Sequence, residues 1–224
     1  MKKITDPRLE AYFALMESRP GLFADSPLLP IQRDPEAIRA FTARTGKAIG
    51  VLYQSPYNML VTDLIQPPEG EPYVYERIIP TDPDGVVAMA LHQGKFLLLG
   101  QFRHAPRQFQ YAFVRGCGEE GLSPEENAAK ELMEEAGARV LKCRPLGKVS
   151  ADSGLTSCAA GVYLCEISRP LLRAGYEGIR EMALLSPQEL EGWIARGKIT
   201  DGFTLSAWAL WKASFPAGAG SPAG

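Results

Sequence analysis

A fold of the α+β or layered α/β class is expected from the order of the elements that this sequence spells out. Three observations carry the expectation. Five alternating or apolar runs precede one well-capped helix, two more runs follow it, and two helices close the chain. With 224 residues, 46% of them apolar, the chain is long enough to bury a sizeable core.

Residues 1–48 read as an N-terminal extension. They hold Pro7, Pro20, Pro27, Pro30 and Pro35 and two weak helical patterns, at 9–18 and 35–44, and nothing in them assigns a chemistry. The texture then changes, and one domain is expected over 49–215. The runs 51–53, 58–66, 73–79, 86–91 and 95–103 are each bounded by Pro, Gly, Asn or Asp and read as strands. His92-Gln93-Gly94-Lys95, between the last two, reads as a hairpin turn.

The central helix is marked at both ends. Ser123 is a good N-cap, Pro124 suits the first helical position, Glu126 completes a capping box and Gly137 supplies the stop. At helical spacing Leu132, Ala136, Ala129 and Met133 form an apolar face, with Glu131, Glu134 and Glu135 clustered roughly opposite. Strands are expected again at 139–149 and 161–167. A helix at 186–196, opened by Ser186-Pro187 and closed by Gly197, is followed by one from 200 or 201 to 214, in which Trp208 and Trp211 read as packing residues. The tail at 216–224, built from Pro, Ala, Gly and Ser, is expected to be disordered.

Composition excludes several partners. A net charge of −2, from 24 Lys and Arg against 26 Asp and Glu, leaves no basic footprint for nucleic acid or an acidic membrane surface. Met1-Lys2-Lys3 is not followed by an apolar segment, and no run of about 18 apolar residues exists, so a cytoplasmic protein is expected. Cys117, Cys143, Cys158 and Cys165 lack metal-ligand spacing and read as buried or incidental thiols. His92 and His104 are the only histidines, and no nucleophile pattern accompanies them.

The chemistry is concentrated at 116–137. Glu134 and Glu135 sit in the last helical turn, where the macrodipole disfavours each by about 0.3–1 kcal/mol, and both repel Glu131 at i+3 and i+4. A solvated acidic face is the plain alternative; a bound cation would explain the arrangement better. A hard divalent ion takes oxygen ligands of this kind and completes its shell with water and substrate phosphates.

The stretch resembles the signature of the Nudix hydrolases: Gly, five residues, Glu, seven residues, then Arg-Glu-apolar-x-Glu-Glu-x-Gly-apolar. Gly116, Glu131, Leu132, Glu134, Glu135, Gly137 and Ala138 fall on matching positions. Leu122 stands where the loop Glu belongs and Lys130 where the Arg belongs. The resemblance implies a mixed sheet sandwiched by helices, with Mg2+ or Mn2+ held by Glu131, Glu134, Glu135 and the main-chain carbonyl of Arg115. Further segments resemble the branch that cleaves ADP-ribose and related nucleoside diphosphate sugars. Gln101-Phe102-Arg103-His104 implies that Arg103 meets the diphosphate. The loop Ser150-Ala151-Asp152-Ser153-Gly154 implies substrate contacts from Asp152 and Ser153. Tyr176-Glu177-Gly178-Ile179-Arg180 resembles an acidic loop whose glutamate, Glu177 here, is catalytic together with Glu135 and Glu131. The implied activity is hydrolysis of a diphosphate linked to a further moiety by a homodimer. The competing class is a weak or inactive protein that keeps the pocket to sense a nucleotide.

Overall fold

The computed structural model describes residues 6–215, so the expectation for the tail at 216–224 lies outside the described residues. The chain divides into two compact units, Met1–Thr81 with Asp152–Cys158, and Asp82–Ala151 with Ala159–Gly224.

In the first unit, α1 (Pro7–Ser18) and α2 (Pro35–Thr45) accompany an antiparallel sheet of β1 (Gly50–Gln54), β2 (Asn58–Ile65) and β3 (Tyr73–Pro80), in the order β1-β2-β3. Asp6 and Asp34 cap the helices by accepting from the N–H of Arg8 and Glu36, and a proline takes the first position of each. Tyr12 and Leu15 pack on Val51, Met59, Val61 and Ile79, while Ile38 and Phe41 pack on Leu64. The strands at 50–80, which their texture joined to the later strands, therefore group with the N-terminal helices. The segment 152–158 joins them too: Ile78 N donates to Leu155 O at 2.9 Å and Ser157 N to Ile78 O at 3.1 Å.

A buried polar network ties α1 to this sheet. Tyr12 Oη donates to Asp63 Oδ1 at 2.5 Å, and Arg77 Nε donates to Asp63 Oδ2 at 2.6 Å. A carboxylate this deep is tolerated because it is both ion-paired and hydrogen-bonded. Tyr12→Phe should lower stability in urea unfolding by about 2 kcal/mol, the cost of one hydrogen bond to a charged group, because Asp63 keeps its arginine.

The second unit is built on a mixed seven-stranded sheet: β4 (Gly85–His92), β5 (Lys95–Arg103), β6 (Gln108–Ala112), β7 (Val114–Gly116), β8 (Val140–Ser150), β9 (Ala159–Ile167) and β10 (Ile179–Leu185). The order is β10-β5-β4-β9-β8, with β6 on β5 and β7 on β4. Only β4 and β9 run parallel among these pairs. The hairpin turn between β4 and β5 passes through Gln93 (φ 49°) and Gly94 (φ 75°), two successive left-handed residues, as the text predicts. Its strands pair only at Leu91/Phe96 and His92/Lys95. Beyond that they separate, and residues 108–116 enter between them, first against β5 and then against β4.

Alternation sorts side chains onto the two faces of this sheet. Val86, Ala88, Ala90, Leu97 and Leu99 face one way and meet Ala128, Leu132 and Ala136 of α3 (Pro124–Ala136). Val87, Met89, Phe96 and Leu98 face the other way. They meet Leu190 of α4 (Pro187–Ala195) and Ala207 and Trp208 of α5 (Gly202–Ser214). The result is the expected layering of helix, mixed sheet and helices. Phe96 lies edge-on to both Trp208 and Trp211, at 5.3 and 5.1 Å between ring centres, so the tryptophans are packing residues. Among the described residues no helix is long and apolar enough to cross a membrane.

Candidate active site

Helix α3 forms as its caps require. Ser123 and Glu126 make both bonds of the capping box, and Gly137 ends the helix at φ 57°. Its buried stripe differs from the expected one. Ala128, Leu132 and Ala136 are buried, whereas Met133 is 38% exposed. A stripe at i, i+4 and i+8 leaves Met133 beside it and carries Glu135 down against the sheet, so that Glu135 is only 4% exposed. Glu135 therefore does not share a solvated face with Glu131 and Glu134.

Gly116, at the end of β7, passes directly beneath Glu131: a Cβ there would stand 1.9 Å from Glu131 Oε1. Only glycine permits that approach, which accounts for the first residue of the motif. The half-buried Glu131 carboxyl is shifted upward by burial and then by the charge of Glu134. Burial, followed by the charges of Glu131 and Glu177, pushes the Glu135 carboxyl up to about 7, against the opposing pull of Arg103 and Arg115. Negative charge is thus concentrated on one desolvated spot.

Two guanidinium groups face that charge. Arg103, at the end of β5, has its Nε buried without a hydrogen-bond partner among the described residues. Burial and then neighbouring Arg115 lower its pKa, and Asp201, Glu135 and Glu177 work against them. Arg115 Nη2 lies 3.5 Å from Asp201 Oδ1, and its guanidinium sits 5.4 Å over the Phe203 ring. Sequence reasoning considered only the main-chain carbonyl of Arg115 and missed its side chain. A cation immediately before the motif's first glycine was the available signal.

Glu177 belongs to the same group. It lies in a 3-10 turn at Tyr176–Gly178, just before β10, and itself adopts φ 44° and ψ 31°. Left-handed backbone at a residue other than glycine costs on the order of 1–3 kcal/mol and persists where its surroundings impose it. Here Gln101, 5% exposed, donates through Nε2 to Glu177 O at 2.6 Å. Tyr176 Oη stands 3.5 Å from Glu134 Oε2. The acidic segment is therefore anchored to β5 and continues directly into β10, a strand that was not expected.

Asp152 and Ser153 belong to the other compact unit. Asp152 Oδ1 accepts from Gly154 N at 3.0 Å, closing a local turn.

The two departures from the motif are partly mended. Lys130 forms a hydrogen-bonded ion pair with Glu119, so a loop carboxylate reaches the motif's basic residue from three positions earlier than Leu122. Leu122 itself is 37% exposed. Because both partners of the pair are solvated, Lys130→Ala should lower the melting temperature by less than about 3 °C in a thermal scan.

Among the described residues no three His, Cys, Asp or Glu side chains already stand close enough to cage a metal ion. The donor chemistry still fits a hard divalent cation. The groups are oxygen donors only, and the buried Glu135 feels the charge of two further carboxylates in a last helical turn that holds no basic residue. Magnesium needs only one or two protein carboxylates, the remainder of its shell being water and phosphate.

The family model described as the NUDIX domain matches residues 82–200. An ADP-sugar pyrophosphatase from Mus musculus is 35% identical over 85 residues, covering 37% of this chain and 38% of that protein. The chain thus matches less than two fifths of the length of this relative. A crystal structure of an ADP compounds hydrolase shares the fold with a TM-score of 0.66 at 18% identity, over 75% of this chain and 91% of that one.

Proposed function

The chain belongs to the NUDIX domain family, and from that premise we propose that it hydrolyses a nucleoside diphosphate linked to a further moiety, with ADP-ribose as the leading substrate. One observation carries the reading: buried Glu135 is within electrostatic reach of two carboxylates, Glu131 and Glu177, and of two guanidinium groups, Arg103 and Arg115. That arrangement suits a substrate whose diphosphate must be neutralised while water attacks phosphorus. The names of the mouse relative, an ADP-sugar pyrophosphatase, and of the similar structure, an ADP compounds hydrolase, support the same choice.

Glu131, Glu134 and Glu135, with the carbonyl of Arg115, would hold Mg2+ or Mn2+. A divalent cation, when bound, supplies neutralisation of the diphosphate and a lowered pKa for the attacking water. Arg103 presents a planar fork to phosphate oxygens, and its unpartnered Nε is available for one of them. Glu177 accepts the proton of the attacking water as the new P–O bond forms and the bridging P–O bond breaks, giving AMP and ribose 5-phosphate. Gln101 holds the backbone of Glu177 and acts through it. Asp152 and Ser153 enter as substrate contacts from the resemblance alone, as does a homodimeric, cytoplasmic assembly without nucleic-acid or membrane partners.

The test is incubation with a panel of diphosphate-linked nucleotides, ADP-ribose among them, with Mg2+ or Mn2+ and chromatographic detection of the monophosphate. Release of AMP from ADP-ribose is expected. Thermal stabilisation by ADP-ribose with no product from any member of the panel would replace this reading by nucleotide sensing.

A further inference from the structure

On the edge strand β8 and its neighbour β9, Cys143 and Cys165 are directly opposite in the antiparallel register. Their Sγ atoms are 3.0 Å apart. Cys165 is fully buried and Cys143 half-buried, so Cys143 is the more exposed residue of the pair. A disulfide requires about 2.05 Å between sulfurs and suits Cα atoms about 4.4–6.8 Å apart, a span that residues directly opposite on paired antiparallel strands satisfy. Closing the remaining ångström therefore needs side-chain rotation and no rearrangement of the sheet.

We propose that Cys143 and Cys165 form an oxidisable pair, a modification site at which a low-molecular-weight disulfide is converted to a cross-strand protein disulfide. Cys143 is the attacking sulfur. It is the more accessible of the two, and the hydrogen bond with Cys165 draws its pKa below that of an ordinary thiol, while the same bond and burial push that of Cys165 upward. The Cys143 thiolate attacks one sulfur of the small disulfide, expelling one thiol and leaving a mixed disulfide on Cys143. Cys165 then loses its proton and attacks the Cys143 sulfur, expelling the second thiol. Two protein thiols are oxidised, one small disulfide is reduced to two thiols, and the chain ends two hydrogen atoms lighter.

The position gives the bond a consequence. Cys165 lies in the same apolar layer as Ala128, Leu132 and Ala136, and Cys143 packs against that layer. Oxidation would therefore lock two strands of the floor on which the carboxylate helix rests, without consuming any residue of the proposed hydrolytic site.

The experiment incubates the full chain with oxidised glutathione, alkylates it under denaturing, non-reducing conditions and maps its peptides by mass spectrometry. The expected product carries alkyl groups on Cys117 and Cys158 only, with a linked peptide pair containing Cys143 and Cys165 that dithiothreitol separates. In Cys165→Ser the second step is missing, and a glutathione adduct should accumulate on Cys143. In Cys143→Ser, Cys165 should stay unmodified. Alkylation of all four cysteines after exposure to oxidised glutathione would overturn the proposal, as would a link that involves Cys117 or Cys158. So would an adduct that persists on Cys143 in the unaltered chain. None of these readouts depends on hydrolytic activity, so failure of the pair and failure of the proposed function are distinguishable.

Discussion

Glu135→Gln should lower kcat for ADP-ribose hydrolysis by about three orders of magnitude, equivalent to about 4 kcal/mol of lost transition-state stabilisation. The substitution keeps the size and burial of the side chain and removes the charge on which the proposed cation depends. Its neighbour Glu131 is held against Gly116 and Glu134 is partly solvated, so neither can be recruited to the buried position without unpacking α3. Steady-state kinetics at saturating Mg2+ would read the effect, with circular dichroism to show an unchanged fold. A variant with wild-type kcat would remove Glu135 from the metal assignment, while leaving the family membership untouched.

The same substitution should stabilise the metal-free protein increasingly as pH rises through neutrality, with no charge-related gain below pH 4.5. The ordinary carboxyl value of 4.5 is raised to about 7 in the folded chain, chiefly by burial. Below pH 4.5 Glu135 is protonated in both folded and unfolded chains, and its burial carries no charge penalty. Between pH 4.5 and about 7 the unfolded chain releases the proton while the folded chain retains it, so rising pH favours unfolding. Above about 7 the penalty is complete, at about 3 kcal/mol. Urea unfolding in EDTA should therefore show the difference in stability between Glu135→Gln and wild type growing by roughly that amount from pH 4 to pH 8. Taking the difference between two chains cancels the titrating groups that do not interact with Glu135, and any fixed cost of burying the amide is a constant offset. A difference that does not vary with pH would show that Glu135 is not held in a desolvated, electronegative site.

The two outcomes together describe a familiar compromise, in which a buried carboxylate destabilises the empty fold and is retained for what it binds. They also bear on the departures from the motif. Leu122 stands where the motif has its loop acid, and Glu119 reaches Lys130 instead. A carboxylate from a different position in the same loop thus meets the motif's basic residue, in a pair that leaves both partners solvated.

Much of this organisation was legible in the text because it is local. Caps, turn residues and period-two runs act over a few residues, and they located α3, α4, α5 and seven of the ten strands among the described residues to within a residue or two. The spacing of Gly116, Glu131, Glu134 and Glu135 is likewise local, since one loop and one helix carry all four. What escaped depends on partners distant in sequence. The run Gln108-Phe109-Gln110-Tyr111-Ala112 alternates polar and apolar residues over only five positions, and its place in the sheet follows because β4 and β5 part and leave their backbone groups to be paired. Likewise Ile179–Leu185 becomes a strand through its ladder with β5.

The sequence by itself determined the helix that carries the carboxylates, the glycine that must precede them and the family to which the chain belongs. Each of these is written in residues whose spacing follows from the geometry of one turn or one helix. Only the tertiary structure decided that Glu135 is buried while Met133 is not, that Arg115 turns its side chain towards Asp201, and that Glu177 is brought to the same charge cluster. It also decided that two cysteines 22 positions apart in the chain stand sulfur to sulfur. Burial, charge coupling and strand register are set by which surfaces meet, and no local pattern of residues contains that information.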